Sequence, residues 1–150
     1  MLSRSSQYAL RALIEICRRN EKGPVSRDVI ASATELPAKF LSKLLSDLTR
    51  AGVLESKRGP GGGFVLTKDP NEITLFEIVS IYEIFEQKWC PFGNRECSDA
   101  NPCQAHPEWK KVLDHQRDFF ERMTLCDVAC DEARRENRQP IGRTGRVIRH

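Results

Sequence analysis

Three cysteines and a histidine stand close together in the middle of the chain, spaced Cys90-x6-Cys97-x5-Cys103-x2-His106. Thiolates bind zinc and iron–sulfur clusters well, and an imidazole can supply a fourth ligand. Pro91, Gly93, Asn94, Ser98 and Asp99 lie between them, residue types that let a loop wrap a small inorganic core. Trp89, Phe92 and Trp109 are available to shield such a core from water, and shielding tunes the potential and lifetime of a cluster. A structural zinc in a Cys3His site is chemically sound. The gaps of six and five residues are, however, longer than the usual zinc knuckle gap of about two to four. The wide loop fits iron–sulfur better than zinc, and unused thiols are the third reading.

The other titratable sulfurs and imidazoles read differently. Cys17 falls on the apolar face of the first expected helix, where a cysteine is a core residue. Cys126 and Cys130 are four apart, share a helix face, and are open to metal binding or an intermolecular disulfide. His115 lies among polar residues and is expected to face solvent, while His150 ends the chain. No Ser/His/Asp or paired-carboxylate arrangement has catalytic spacing, so an enzyme is not expected.

Elements must hold that loop in place. The opening residues from Met1 to Tyr8 contain no apolar signal region. No stretch reaches the roughly 20 apolar residues of a membrane helix. A cytoplasmic protein with no membrane partner is the expectation, and reducing surroundings favour metal or redox use of cysteine over disulfides. The formal charge is +3 and the pI about 8.6, a mildly basic balance in which the position of the charge matters more than its sum.

The expected fold is mainly α with a small β wing: a winged helix-turn-helix followed by a long dimerisation helix. Residues 1–68 are assigned to the DNA-binding region. Residues 69–136 carry the cluster-binding loop and dimerisation helices, and residues 137–150 a basic disordered tail. Ala9, Leu10, Ala12, Leu13, Ile16 and Cys17 recur at helical spacing over residues 3–19, and Lys22-Gly23-Pro24 stops that helix. Ser26 caps a second helix bearing Val29 and Ile30. Pro37 opens a third, which ends before Gly52 and buries Phe40, Leu41, Leu44, Leu45 and Leu48. Two β-like runs, at 53–56 and 63–66, flank Lys57-Arg58-Gly59-Pro60-Gly61-Gly62, a hairpin tip able to approach something closely. A fourth helix is expected from Thr74 through Phe85. A long helix starts at Pro107, with Trp109, Val112, Leu113, Gln116, Phe120 and Met123 spaced at threes and fours, and Thr124 with Asp127 resembles a capping box for a last short helix.

Three helices and a glycine-tipped hairpin imply roles on double-stranded DNA. The third helix enters the major groove, and Lys39, Ser42 and Lys43 are its candidate base-reading residues. Arg58 reaches a minor groove, and Gly59, Gly61 and Gly62 let backbone approach a phosphate. Arg27, Lys57 and Lys68 position the protein without reading sequence.

These blocks together resemble the iron–sulfur winged-helix repressors of the IscR and NsrR type. The resemblance covers residues 1–130 and rests on Tyr8-Ala9-Leu10-Arg11-Ala12-Leu13, on Arg58-Gly59-Pro60-Gly61-Gly62-Gly63-Phe64, and on the Cys90, Cys97 and Cys103 loop. It implies a homodimer built on the long helix, an operator as partner, and transcription controlled by cluster state. In IscR-like members the histidine three residues past the last cysteine completes the site, here His106. In NsrR-like members an aspartate near the start of the first helix does so, and Gln7 stands there. The resemblance therefore favours a 2Fe–2S cluster over 4Fe–4S. The first cysteine gap of six is one longer than the IscR pattern, and Cys126 and Cys130 lie outside it. The alternatives are a cluster-free thiol-based or cysteine-metabolism repressor and a zinc-stabilised protein-interaction module.

Overall fold

The computed structural model describes residues 2–85, 90–93 and 96–129. Trp89, Cys130, His150 and the basic tail lie outside them.

Helix α1 (Arg4–Arg19) begins at Ser3, whose hydroxyl accepts from Ser6 N, and ends with Arg18 and Arg19 against the negative pole of its dipole. Ala9, Ala12, Leu13 and Ile16 are fully buried; Leu10 and Cys17 lie at the edge of the same core. Helix α2 (Arg27–Thr34) is capped by Ser26 and buries Ile30 but leaves Val29 on the surface. Glu35 turns the chain in the left-handed region, φ 55°, into helix α3 (Ala38–Arg50). Pro37 is the N-cap of α3 and not its first residue, while Leu41, Leu44, Leu45 and Leu48 form its buried stripe.

Strands β1 (Leu54–Lys57) and β2 (Gly63–Leu66) form an antiparallel hairpin with Leu54 opposite Leu66 and Lys57 opposite Gly63. The hairpin is fastened to the entry of α2. Val25 N donates to Phe64 O at 3.0 Å and Phe64 N to Val25 O at 2.9 Å. A methyl group on Gly63 would meet the Val25 carbonyl oxygen at 2.4 Å, so this close approach requires glycine.

Helix α4 (Leu75–Val79) starts at Thr74 and buries Leu75, Ile78 and Val79. It ends six residues earlier than the spacing predicted, with Tyr82 in a following turn where N–H groups reach back three residues. The reason is a distant competitor. Glu83 Oε1 accepts from Ser3 N at 2.7 Å and from the Ser6 hydroxyl at 2.6 Å, drawing the chain toward the start of α1. Burial raises the Glu83 carboxyl, but the hydrogen bonds from Ser6 and Ser3 and the nearby N-terminal amine outweigh it and hold the group below its ordinary value.

Helix α5 (His106–Arg122) rests on α4 near its C-terminal end, where Phe120 is buried and lies 5.8 Å from Phe85, ring to ring. Helix α6 (Leu125–Ala129) packs on α1. Its start is the reciprocal cap expected from Thr124 and Asp127: Thr124 N donates to Asp127 Oδ2 at 2.9 Å and Asp127 N to the Thr124 hydroxyl at 3.2 Å. Leu75 N to Met123 O and Leu125 N to Ile73 O, both 2.8 Å, lash the start of α4 to the α5–α6 junction. One apolar core runs from Ala9 through Leu48 to Leu125. No helix of the described residues is long and apolar enough to cross a membrane.

Candidate metal centre and nucleic-acid interface

Tight turns shape the cysteine loop. Gly93 N donates to Cys90 O, Asn101 N to Ser98 O and His106 N to Cys103 O, at 3.3, 3.3 and 3.0 Å. The last of these turns the chain into α5, so His106 is the first residue of a rigid helix and not a loop residue. Pro107 favours that start, having no N–H to leave unpaired.

The four candidate ligands come together, with Cys97 hydrogen-bonded to Cys90 as well as to His106. Cys90 and Cys103 sulfurs are 3.8 Å apart, and Cys97 Sγ lies 3.4 Å from His106 Nδ1. The far side of the imidazole is held too: Nε2 is 2.9 Å from Asp99 Oδ1, and Lys110 donates to Asp99 Oδ2 at 2.7 Å. Cys90 is buried and Cys97 and Cys103 are half-buried. The Cys97 thiol sits above its ordinary value. Desolvation is the main cause, followed by the Cys90 and Cys103 sulfurs and the Asp99 carboxylate. Bonds from Lys110 and His106 pull Asp99 below its own usual range. A hollow of about 170 Å³ beside Cys97 and His106 opens onto Trp109 and Leu113. Phe92 stacks edge-on against Trp109 at 5.6 Å yet is 61% exposed, so the aromatic cover is partial.

Among the described residues no three His, Cys, Asp or Glu side chains converge on a single metal ion. Cys17 and Cys126 are half-buried and separate from the loop in sequence; His115 is on the surface of α5, as expected.

At the second candidate region, Arg27, α3 and the wing strands line an open cleft of about 530 Å³. Lys39 and Lys43 project from α3 and are exposed, with no acidic partner among the described residues. Ser42 is half-buried, and its hydroxyl is engaged: it donates to Ala38 O at 2.9 Å and accepts from Arg27 at 3.3 Å. One lone pair is left to accept a further bond, and Arg27 presents the stronger donor at that spot. Ser26, as the cap of α2, places Arg27 there, a signal present in the sequence but open only once the two helices are docked.

The wing tip is a four-residue turn closed by Gly62 N to Gly59 O at 2.9 Å. Pro60 occupies its second position and Gly61, φ 73°, its third, the pattern of a type II turn. Arg58 is exposed just before it. Lys57 and Lys68 are already paired, with Glu55 and Glu77 at 2.5 and 2.8 Å.

The chain matches the family described as iron-dependent transcriptional regulator, Rrf2, over residues 2–131. It is 31% identical over 131 residues to a putative HTH-type transcriptional regulator of Aquifex aeolicus, covering 85% of this chain and 90% of the relative. It is 30% identical over 128 residues to the HTH-type transcriptional regulator IscR of Pectobacterium atrosepticum, covering 85% of this chain and 77% of that protein. Among solved structures, the global cysteine regulator CymR of B. subtilis superposes with a TM-score of 0.73 at 28% identity, covering 87% of this chain and 96% of CymR. T. potens IscR superposes at 0.76 with 24% identity, 93% of each chain being covered. These relatives are transcription regulators and not enzymes, and the winged helix is common to them. The chain belongs to the Rrf2 family of DNA-binding transcriptional regulators.

Proposed function

We propose that this regulator senses through a 2Fe–2S cluster held by Cys90, Cys97, Cys103 and His106. The observation that carries the reading is the close approach of all four side chains, Cys90 to Cys103, Cys97 to His106 and Cys97 to Cys90. A tetrahedral metal with metal–sulfur bonds of about 2.3 Å separates two of its sulfur ligands by about 3.8 Å, and the Cys90–Cys103 separation is 3.8 Å. With a nitrogen bond of about 2.0 Å the corresponding sulfur–nitrogen edge is about 3.5 Å, against 3.4 Å between Cys97 and His106. When bound, such a cluster supplies one-electron redox chemistry and sensitivity to oxidants. The protein's own part is to gather thiols on turns, hold the imidazole on a helix, and leave a partly open face.

In this reading the chain works as a homodimer. Trp109, Val112, Leu113 and Phe119 leave apolar surface along α5, Val112 being 54% and Phe119 47% exposed. A second copy of the same helix would cover it, and two-fold symmetry would set two reading heads on a roughly palindromic operator. Lys39 and Lys43 would meet base edges, Arg58 a minor groove, and the backbone of Gly59, Gly61 and Gly62 a phosphate.

A second reading keeps the DNA-binding head and uses the thiols without a cluster. It is favoured by the 28% identity to CymR, a cysteine regulator, over 87% of the chain. Anaerobic purification followed by iron, sulfide and zinc analysis with a visible spectrum separates the two. Iron and acid-labile sulfide in equal amounts are expected. Metal-free protein supports the thiol reading, and stoichiometric zinc rejects both.

A further inference from the structure

The imidazole of His106 is gripped from both ends. Nδ1 faces Cys97 Sγ, and Nε2 faces Asp99 Oδ1 at 2.9 Å. An ionised carboxylate only accepts hydrogen bonds, so it selects the tautomer with the proton on Nε2. That leaves the Nδ1 lone pair directed at the thiol side. Asp99 is itself fixed by a cation: Lys110 donates to its other oxygen at 2.7 Å. His106 and Lys110 are four residues apart, hence on one face of α5, while Asp99 comes from the loop between Cys97 and Cys103. The carboxylate thus stitches the loop to the helix, with the ring sheltered (11% exposed) and the carboxylate in solvent (71%).

We propose that Asp99, clamped by Lys110, is a positioning residue that orients His106 toward the metal site and sets how readily the group held there takes up an electron. The proposal rests on the cluster reading given above. Its physical basis is twofold. A carboxylate on the outer nitrogen fixes the ring and makes it a better donor. A negative charge near the site opposes the arrival of an electron, and Lys110 partly cancels that charge. The two side chains therefore act with opposite signs, which a purely structural role would not produce.

The test uses the full-length protein, loaded anaerobically, as wild type and as Asp99→Asn, Asp99→Ala and Lys110→Met. Iron and sulfide content, the midpoint potential and the rate of iron release to a chelator are measured for each. Asp99→Asn is expected to favour the reduced form about tenfold, a rise of about 59 mV for one electron. Lys110→Met, which leaves the Asp99 charge uncompensated, is expected to shift the potential the other way. Asp99→Ala is expected to speed iron release about 10- to 100-fold. Glu108→Gln, removing an exposed acid on the same helix that pairs with Lys111, should change neither quantity. Lys110→Met leaves the His106–Asp99 contact in place, so it remains informative if the Asp99 variants load poorly. A loaded wild type with unmoved potential and release in the Asp99 variants overturns this proposal alone. Shifts of the same sign in Asp99→Asn and Lys110→Met do so too. A wild type that takes up no iron and sulfide overturns both this proposal and the cluster reading.

Discussion

Ser6 and Glu83 stand 77 positions apart in the chain, and the Ser6 hydroxyl donates to Glu83 Oε1 at 2.6 Å. Ser6 is fully buried, so its hydroxyl has no water to fall back on. Hydrogen bonds to charged groups contribute about 1.5–3 kcal/mol. Ser6→Ala is expected to destabilise the protein at neutral pH toward the lower end of that range, because Ser3 N still serves the carboxylate. The sign of the pH dependence follows from the lowered Glu83 carboxyl. Its contribution is present above the ordinary glutamate value, about 4.3, and is lost as pH falls through the lower folded value. Denaturant titrations of wild type and Glu83→Gln should therefore converge in acid and separate above pH 5; parallel curves would exclude the link.

The loop cysteines should behave as a set. Cys90→Ala, Cys97→Ala and Cys103→Ala are each expected to abolish cluster binding, whereas Cys17→Ala, a change on the half-buried edge of α1, should leave it intact. Iron and sulfide content is the readout. Full loading in all three loop variants would dismiss the assignment.

The exposed apolar residues of α5 should be covered in solution. Sedimentation is expected to give a dimer at micromolar concentration, and Val112→Asp, which places a charge on that face, should shift it toward monomer. A wild-type monomer would contradict the dimer reading.

Arg58 and Lys43 should contribute to DNA binding in distinguishable ways. Narrow A·T-rich minor grooves concentrate negative potential, so Arg58→Ala should weaken binding most on operators with A·T-rich flanks. Lys43→Ala should matter at one base position, by about 1–3 kcal/mol. Equal losses for Arg58→Ala on every flank would leave it as a phosphate anchor, with a salt slope reduced by about one.

Gly63→Ala should loosen the wing. The added methyl would meet the Val25 carbonyl oxygen at 2.4 Å, and overpacking of this kind costs about 1–3 kcal/mol. Faster amide exchange at Phe64 and Val25 is the expected signature; unchanged exchange would show that the hairpin absorbs the methyl elsewhere.

Much of this was legible in advance because its causes are local. Ser3, Ser26, Thr74 and the Thr124–Asp127 pair declare helix starts through bonds spanning three residues. Pro60 and Gly61 declare the wing turn, and the apolar spacing of α1 and α3 gives their buried faces. The cysteine spacing points to a loop whose thiols meet. What the chain could not reveal locally is what depends on docking. Glu83 ends the α4 turn by reaching a residue 80 positions away. Val29 follows the helical pattern yet faces solvent, because α2 buries only Ile30 fully. Asp99 reads locally as one more loop-forming residue; the start of α5 brings His106 and Lys110 to it.

The paired hydrogen bonds between Val25 and Phe64 separate what is fixed in this protein from what is free to vary. They hold the hairpin to the entry of α2, and the core leucines of α3 hold the helix to the same body. Lys39, Lys43 and Arg58 lie outside that framework, exposed and apart from its core. On the proposed reading, in which these three residues meet DNA, target preference can drift by single substitutions there without re-solving the folding problem, and operators should then diverge faster among such regulators than the scaffold.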